Sequence, residues 1–129
     1  MMNRQIIIGA DICPTENNYT LFQTGNVQDL IGTELQKILN TAKYSIFNLE
    51  VPLFDGDNPI LKCGPNLKAP TNCINGIKKI NPYFFTLANN HIMDHGERGL
   101  ESTIRILKEN NISFSGVGEN IDEASKPFI

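Results

Sequence analysis

The sequence predicts an α/β fold in which a mainly parallel sheet is flanked by helices. Short runs rich in β-branched and aromatic residues recur at 5–10, 44–49, 83–88 and 112–118. Segments with helical periodicity or turn residues separate these runs. Strands that alternate with helices form βαβ units, and such units build parallel sheets. A chain of 129 residues is long enough for one domain with its own core.

The first half of the chain predicts two strands, a helix and a long loop. "QIIIGA" at 5–10 is a β-branched run that ends before Asp11, and "YSIFNL" at 44–49 is a second strand. Residues 51–72 hold four prolines and two glycines, which predicts a loop. Between the strands, residues 29–42 form an amphipathic helix whose apolar face contains Ile31, Leu35, Ile38, Leu39 and Ala42.

The second half repeats the alternation. Residues 73–80 predict a short helix, 83–88 a strand, and 112–118 a fourth strand, and "IDEAS" begins another helix. Residues 97–109 predict an amphipathic helix. Glu97 lies in its first turn and Lys108 near its last turn, where their charges suit the helix dipole. Its apolar face contains Leu100, Thr103, Ile104 and Leu107.

Composition excludes several functional classes. A net charge of −3 without a basic cluster argues against nucleic acid as a partner. No apolar run approaches the roughly 20 residues of a membrane helix, so we predict no transmembrane segment. The start "MMNRQIII" is too short an apolar stretch for a secretory signal, so a cytoplasmic location is expected if that start is native.

The cysteines, and the lack of phosphate-binding patterns, argue against further kinds of site. Cys13, Cys63 and Cys73 are odd in number and widely spaced, which fits reduced thiols better than disulfides or a zinc site. No glycine-rich dinucleotide or P-loop pattern follows the first strand. A serine-hydrolase elbow is also missing from the sequence.

Polar residues follow each predicted strand. The first strand runs into Asp11, the second into Asn48-Leu49-Glu50, the third into Asn89-Asn90-His91, and the fourth into "GVGEN". Both histidines of the chain lie in "FTLANNHIMDHG". Ligands of parallel sheets bind beyond the carboxyl ends of the strands. These four turns therefore predict one site along a common rim.

The chemistry of this rim suits a metal ion. Asp11, Glu50, Asn90, His91 and Asp94 offer carboxylate, amide and imidazole groups. This donor set fits Mn²⁺ best, with Fe or Zn²⁺ as alternatives. Two such ions about 4 Å apart can clamp a phosphoryl group and activate water. The predicted ligand is accordingly an anionic or phosphorylated small molecule or polymer.

Five motifs together resemble a known family. "GADICPT", "FNLEVPL", "KCGPNLKAP", "LANNHIMDHGERGLESTIRIL" and "GVGENIDEASKP" are similar to the bacterial capsule-synthesis or poly-γ-glutamate synthesis proteins, which are related to calcineurin-like metallophosphoesterases. The resemblance implies half of a metallophosphoesterase-like α/β/β/α sandwich. Residues 1–129 would then be a single, truncated domain, the N-terminal half of the complete one.

The resemblance also implies roles for individual residues. Asp11 and Glu50 match two acidic metal-binding positions, and Asn90-His91 matches an Asn-His pair that supplies a metal ligand and a general acid. Asp94 matches the family pattern that follows this pair. The metal candidates are therefore Asp11, Glu50, Asn90 and His91, and the catalytic candidates are His91 and Asp94. Two features depart from the superfamily: Cys13 replaces a histidine, and further histidine ligands of the second half are missing.

Several of these residues have plainer interpretations. Asp11 could cap a turn, Glu50 could be a solvated loop residue, and Asp94 could belong to the cap of the helix from 97. One of the two asparagines, preferably Asn89, would adopt left-handed backbone at a turn. His95 is expected to be an exposed loop residue and Cys13 a small buried hydrophobe. Lys62 and Lys68 could contact an anionic substrate but are expected to be ordinary surface lysines, and Gly116 and Gly118 are expected to serve a tight turn.

Two hypotheses of different classes result. The first is a metal-dependent phosphoesterase-like hydrolase that serves capsule polysaccharide or poly-γ-glutamate production. The second is a non-catalytic component of a polymer synthesis or export assembly with membrane-bound partners. A parallel sheet that is cut short exposes an edge and an apolar face, so self-association is a further possibility.

Overall fold

Four parallel strands form one sheet in the computed structural model, which describes residues 5–129. The strands are β1 (Ile6–Ile12), β2 (Tyr44–Leu49), β3 (Phe84–Thr86) and β4 (Ser113–Ser115). They lie in the order β1-β2-β3-β4, and every neighbouring pair is parallel. The α/β prediction is confirmed. The sequence start that suggested a cytoplasmic location lies partly outside the described residues.

The helices connect and follow these strands. They are α1 (Tyr19–Thr24), α2 (Val27–Thr41), a 3₁₀ turn (Thr71–Cys73), α3 (Ile74–Lys79), α4 (Gly96–Glu109) and α5 (Ile121–Ala124). Helix α1 was not predicted, because six residues with Phe22 alone buried are too few to show a helical period. None of the helices in the described part of the chain is long and apolar enough to cross a membrane.

The hydrophobic core lies on one face of the sheet. Crossover connections between parallel strands are right-handed. Because these strands lie side by side in the order of the sequence, all the connections lie on the same face of the sheet. Side chains of β2 alternate accordingly: Ser45, Phe47 and Leu49 are buried, while the residues between them are half-buried. Phe47, Leu49, Phe85 and Leu87 pack with residues of the helices in one cluster.

The other face of the sheet remains largely open. Ile6 and Ile8 of β1 are 60% and 78% exposed. They lie in register with Tyr44 and Ile46 of β2, so they share one face. The C-terminal residues return across it, where the Phe128 ring stacks on Phe84 with centroids 4.8 Å apart. We call this face, which carries Ile6, Ile8, Tyr44 and Ile46 and is covered at Phe84 by Phe128, the open face.

Two predicted helical faces need correction. In α2, Leu35 and Ile38 are 44% and 48% exposed, and the buried residues are Val27 and Leu39. Gly32 interrupts the helix with φ 77° and ψ 159°, so the uninterrupted period assumed from the sequence does not apply. In α4, Thr103 and Leu107 are buried as predicted, but Ile106 is buried instead of Ile104.

The loop of residues 51–72 is irregular, as predicted, yet it is firmly attached. Leu53 and Ala69 form an isolated parallel bridge, and both are fully buried. The hydroxyl of Thr103 in α4 accepts a hydrogen bond from the Leu53 N–H at 2.9 Å. These contacts hold the loop beside the carboxyl ends of the strands.

Candidate functional site

A β-bulge in β1 brings Asp11 to the predicted rim. Ile8 pairs with Ile46, but Asp11 pairs with Asn48, so β1 gains one residue over β2 between these pairs. Bulges re-aim side chains at functional edges of sheets. Asp11 therefore shares a face with Asn48 and lies within the strand, not after it as the sequence predicted.

Asn48 is the centre of a hydrogen-bond network at the rim. Its Nδ2 donates to Asp11 Oδ1 at 2.7 Å. Its Oδ1 accepts from Thr86 Oγ1 at 3.2 Å and from Asn89 Nδ2 at 3.1 Å. One amide thus connects the ends of β1, β2 and β3, and it holds the Asp11 carboxylate in a defined position.

Asn89 continues this network into the loop between β3 and α4, residues 87–95, which we call the histidine loop. Its Oδ1 accepts from the backbone N–H groups of His91 and Ile92, both at 2.9 Å, and its Nδ2 also donates to Leu49 O at 2.9 Å. The left-handed backbone expected of Asn89 is wrong. Asn81 and Asn111 are the asparagines with positive φ among the described residues, so Asn89 acts through its side chain.

His91 is oriented by a buried carboxylate. Its Nδ1 lies 2.7 Å from Asp94 Oδ2, and Asp94 is fully buried. A carboxylate only accepts hydrogen bonds, so Nδ1 carries the proton in this pair. This leaves Nε2 as the ring nitrogen available for a metal ion or for proton transfer. The His91 side chain is 14% exposed, so it remains accessible from solvent.

Two groups of the long loop complete the surroundings of Asp94. The Leu67 N–H donates to Asp94 Oδ2 at 2.6 Å, and the Lys62 ammonium forms an ion pair with Asp94 Oδ1. Burial alone would raise the pKa of Asp94, but the hydrogen bonds from Leu67, Lys62 and His91 hold that pKa below its ordinary value. Asp94 is therefore ionised at neutral pH.

Glu50 and Asn90 complete the set of predicted metal ligands. Glu50 follows β2 and is half-buried, and Asn90 is exposed in the histidine loop. Cys13 lies beside Glu50. Burial, together with the carboxylates of Glu50 and Asp11, raises the pKa of the Cys13 thiol to about 11. The thiol is thus neutral at physiological pH, which agrees with the interpretation of Cys13 as a small hydrophobe.

The donor chemistry of the rim fits a hard or borderline divalent ion. Carboxylates, an amide and an imidazole are present in Asp11, Glu50, Asn90 and His91. Within residues 5–129, however, no three side chains of His, Cys, Asp or Glu converge closely enough to enclose a metal ion. The predicted metal ligands therefore do not form such a cluster in the described part of the chain.

The chain was compared with known proteins. The family model of the bacterial capsule synthesis protein PGA_cap matches residues 5–129. The chain belongs to the PGA_cap family. This confirms the resemblance that the five motifs indicated.

Curated relatives of this PGA_cap chain are considerably longer. Capsule biosynthesis protein CapA of Bacillus anthracis is 29% identical over 98 residues, which cover 74% of this chain and 24% of CapA. The uncharacterized proteins y4sH and y4uA of Sinorhizobium fredii are each 32% identical over 108 residues, or 72% of this chain and 21% of the relative. The chain spans about a quarter of the length of these relatives.

Two expectations for the PGA_cap loops were wrong, and the alternative of a helix cap at Asp94 does not apply. His95 is 3% exposed, because its Nδ1 accepts from the Asn58 N–H at 3.0 Å and anchors the long loop. Lys62 is not an ordinary surface lysine, since its side chain is only 20% exposed and pairs with Asp94. Asp94 caps no helix: α4 is preceded by His95 and has no side-chain cap.

The turn after β4 follows the expectation for glycine. Gly116 has φ 96°, and a Cβ at this position would lie 2.8 Å from the backbone nitrogen of Ala88. Only glycine fits both the left-handed conformation and this close approach to the end of β3.

Sequence reasoning placed Asn48 at the rim but gave it no role, and it left Lys62 at the surface. The role of Asn48 could have been found, because Asn48 alternates with Tyr44 and Ile46 along β2 and so lies on the same face of the sheet as they do. Lys62 left no comparable signal. It lies 32 residues before Asp94, in a loop without periodicity that could show which residues contact the rim.

Proposed function

We propose that this PGA_cap chain is part of a metal-dependent phosphoesterase-like hydrolase that acts in the production of a capsule polymer. The observation that carries the proposal is the hydrogen bond of 2.7 Å between His91 Nδ1 and the buried Asp94 carboxylate. Such a pair fixes the tautomer of the ring and directs Nε2 towards a ligand. The substrate proposed for this site is an anionic or phosphorylated molecule.

The residues of the rim have separate roles in this proposal. Asp11, Glu50 and Asn90 would hold metal, with Mn²⁺ preferred over Fe and Zn²⁺, and His91 would either join them or donate a proton to the leaving group. The bound ion would supply Lewis acidity and lower the pKa of water. Asp94 keeps the His91 ring in position, and Asn48 does the same for the Asp11 carboxylate.

Manganese binding tests the proposal. We expect Asp11→Ala to weaken Mn²⁺ binding at least tenfold in calorimetric titrations, because it removes a charged ligand. Glu34→Ala is the matched control, since Glu34 is an exposed carboxylate in α2, remote in sequence from the four turns of the rim. An affinity for Mn²⁺ that is equal in the unaltered protein and in Asp11→Ala would contradict the proposed metal site.

The partial ligand set favours a second candidate function. With no cluster of three such ligands in residues 5–129, the protein could be a non-catalytic binding component of a polymer synthesis or export assembly. Co-purification with a membrane-bound synthesis enzyme, without hydrolysis of any phosphoester in a broad panel containing Mn²⁺, would support this candidate. Hydrolysis that depends on Asp11 would exclude it.

A further inference from the structure

A cleft adjoins the rim and is not used by the proposed metal site. It has a volume of about 540 Å³ and lies between the segment after β1 and the long loop. This volume falls in the range of small-molecule sites. Cys13 and Val51 line the cleft. Asp11 stands two residues before Cys13, and Glu50 directly precedes Val51. The cleft therefore opens beside the proposed metal ligands.

An unsatisfied acceptor lies in the wall of this cleft. The Asn66 side chain donates through Nδ2 to Ile60 O at 3.0 Å. Its Oδ1 is buried, and no described residue donates to it. A buried acceptor without a partner is costly, and most such groups in proteins are hydrogen-bonded. A donor on a ligand in the cleft would satisfy Asn66 Oδ1, and a small shift of the surrounding side chains is needed to admit it, because the oxygen is closed to solvent.

The carboxylates of the cleft offer acceptors to a ligand, while its ammonium group is already paired. Lys68 Nζ already donates to Gly56 O at 2.6 Å and lies 3.3 Å from Asp57 Oδ1. Asp55 accepts two hydrogen bonds from Thr71. Glu16 is exposed at the edge of the cleft. The carboxylates of Glu16 and Asp55 would repel an anion, and the one ammonium group of the cleft is already paired. A neutral ligand that carries hydrogen-bond donors is therefore preferred.

Two aromatic side chains supply flat apolar walls. Tyr19 and Phe54 both line the cleft. The Tyr19 hydroxyl donates to Lys68 O at 2.6 Å, which fixes its ring. Gly56 packs so closely on Phe54 that a Cβ there would lie 2.4 Å from the ring. Rigid rings beside hydrogen-bond acceptors suit the apolar faces and hydroxyl groups of a sugar.

We propose that this cleft is a saccharide subsite, in which sugar hydroxyls donate to Asn66 Oδ1 and Glu16 while Tyr19 and Phe54 pack against the sugar ring. The substrate would then be a phosphorylated saccharide, with its phosphoryl group at the rim and its sugar in the cleft. This role as a subsite rests on the proposed phosphoester chemistry, but binding of the sugar itself does not require metal.

Nuclear magnetic resonance titration of the ¹⁵N-labelled chain, with a chelator present, tests the inference. The probes are methyl α-glucoside, N-acetylglucosamine and maltose, compared with triglutamate and trilysine. We expect at least one sugar to shift the amide signals of the cleft, and Asn66→Leu to weaken its binding about tenfold. Asn75→Leu is the matched control, because the Asn75 side chain also donates to a backbone carbonyl, Gln23 O, and lies outside the cleft.

A second variant keeps the test decisive if Asn66→Leu does not fold. Phe54→Leu retains apolar volume but removes the flat ring, and we expect it to weaken sugar binding as well. Sugars that shift no cleft signal, or tighter binding of triglutamate or trilysine than of every sugar, would overturn the saccharide subsite. Sugar binding without Mn²⁺ binding would contradict the proposed metal site alone, and the reverse result would contradict the subsite alone.

Discussion

At the scale of single residues, the site depends on side chains that hold other side chains in position through hydrogen bonds. Asp11 and His91 are the groups proposed to bind a ligand, and Asn48 and Asp94 hold them in place. Polar residues after a strand can be recognised in a sequence, so Asp11 and His91 were predicted. Which residues support them depends on register and on loop contacts, and for this reason Lys62 could not be predicted.

His95 makes the stability of the fold depend on pH. Burial and the nearby Lys68 ammonium hold the pKa of His95 below its ordinary value of 6.5, and they outweigh the carboxylates of Asp57 and Asp94. The unfolded chain therefore binds the proton more readily than the folded chain. The free energy of unfolding should fall as the pH decreases through about 6.5 towards the lowered pKa of the folded state.

Urea unfolding at several pH values between 7 and 5 measures this effect. In His95→Gln the pH dependence should be weaker, because the titrating group is removed. The variant should also be less stable at pH 7, since the ring packs beside Phe54 with centroids 5.8 Å apart. An identical dependence on pH in both proteins would show that His95 is not responsible.

At the scale of elements, the strands were predictable because alternation and β-branched runs are local signals. Strand β2 has the bounds predicted for it, Tyr44–Leu49. The helices were harder to place. The face of α2 was wrong because Gly32 breaks its period, and α1 is too short to show one. The bulge in β1 also has no local signal, since it is visible only against the pairing with β2.

The turn between β4 and α5 should tolerate no side chain at Gly116. Alanine there would combine a left-handed backbone with a contact of 2.8 Å to the Ala88 nitrogen. We expect Gly116→Ala to lower the free energy of unfolding by about 2–4 kcal/mol.

Gly64→Ala separates the two causes. Gly64 also has positive φ, 90°, but a Cβ there meets nothing within 4 Å. It should cost only about 1–2 kcal/mol in the same denaturant titration. Equal losses in the two variants would mean that backbone conformation alone accounts for the effect at Gly116.

At the scale of the whole molecule, the sheet is covered by helices on one side only. The sequential strand order places the crossovers together, and the open face keeps Ile6 and Ile8 in contact with solvent. An apolar sheet face next to an edge strand favours association with another surface. The sequence predicted this exposure in general terms, but the residues involved followed only from the register.

Self-association through the open face can be measured by sedimentation velocity at increasing protein concentration. We expect the unaltered chain to form larger species and Ile8→Thr to form fewer, because threonine keeps the strand propensity and removes apolar surface. Leu61→Thr is the matched control, since Leu61 is fully exposed in the long loop and away from the sheet. Equal effects of both substitutions would argue against the open face as the contact.

The single extra residue in β1 also has an evolutionary consequence. Loss of one codon between Ile8 and Asp11 would remove the bulge and leave Asp11 opposite Asn48, because Asp11 would then stand two residues after Ile8, as Asn48 stands two residues after Ile46. The bulge therefore absorbs one residue without changing the partner of Asp11. A lineage could gain or lose this residue and still keep the carboxylate at the rim.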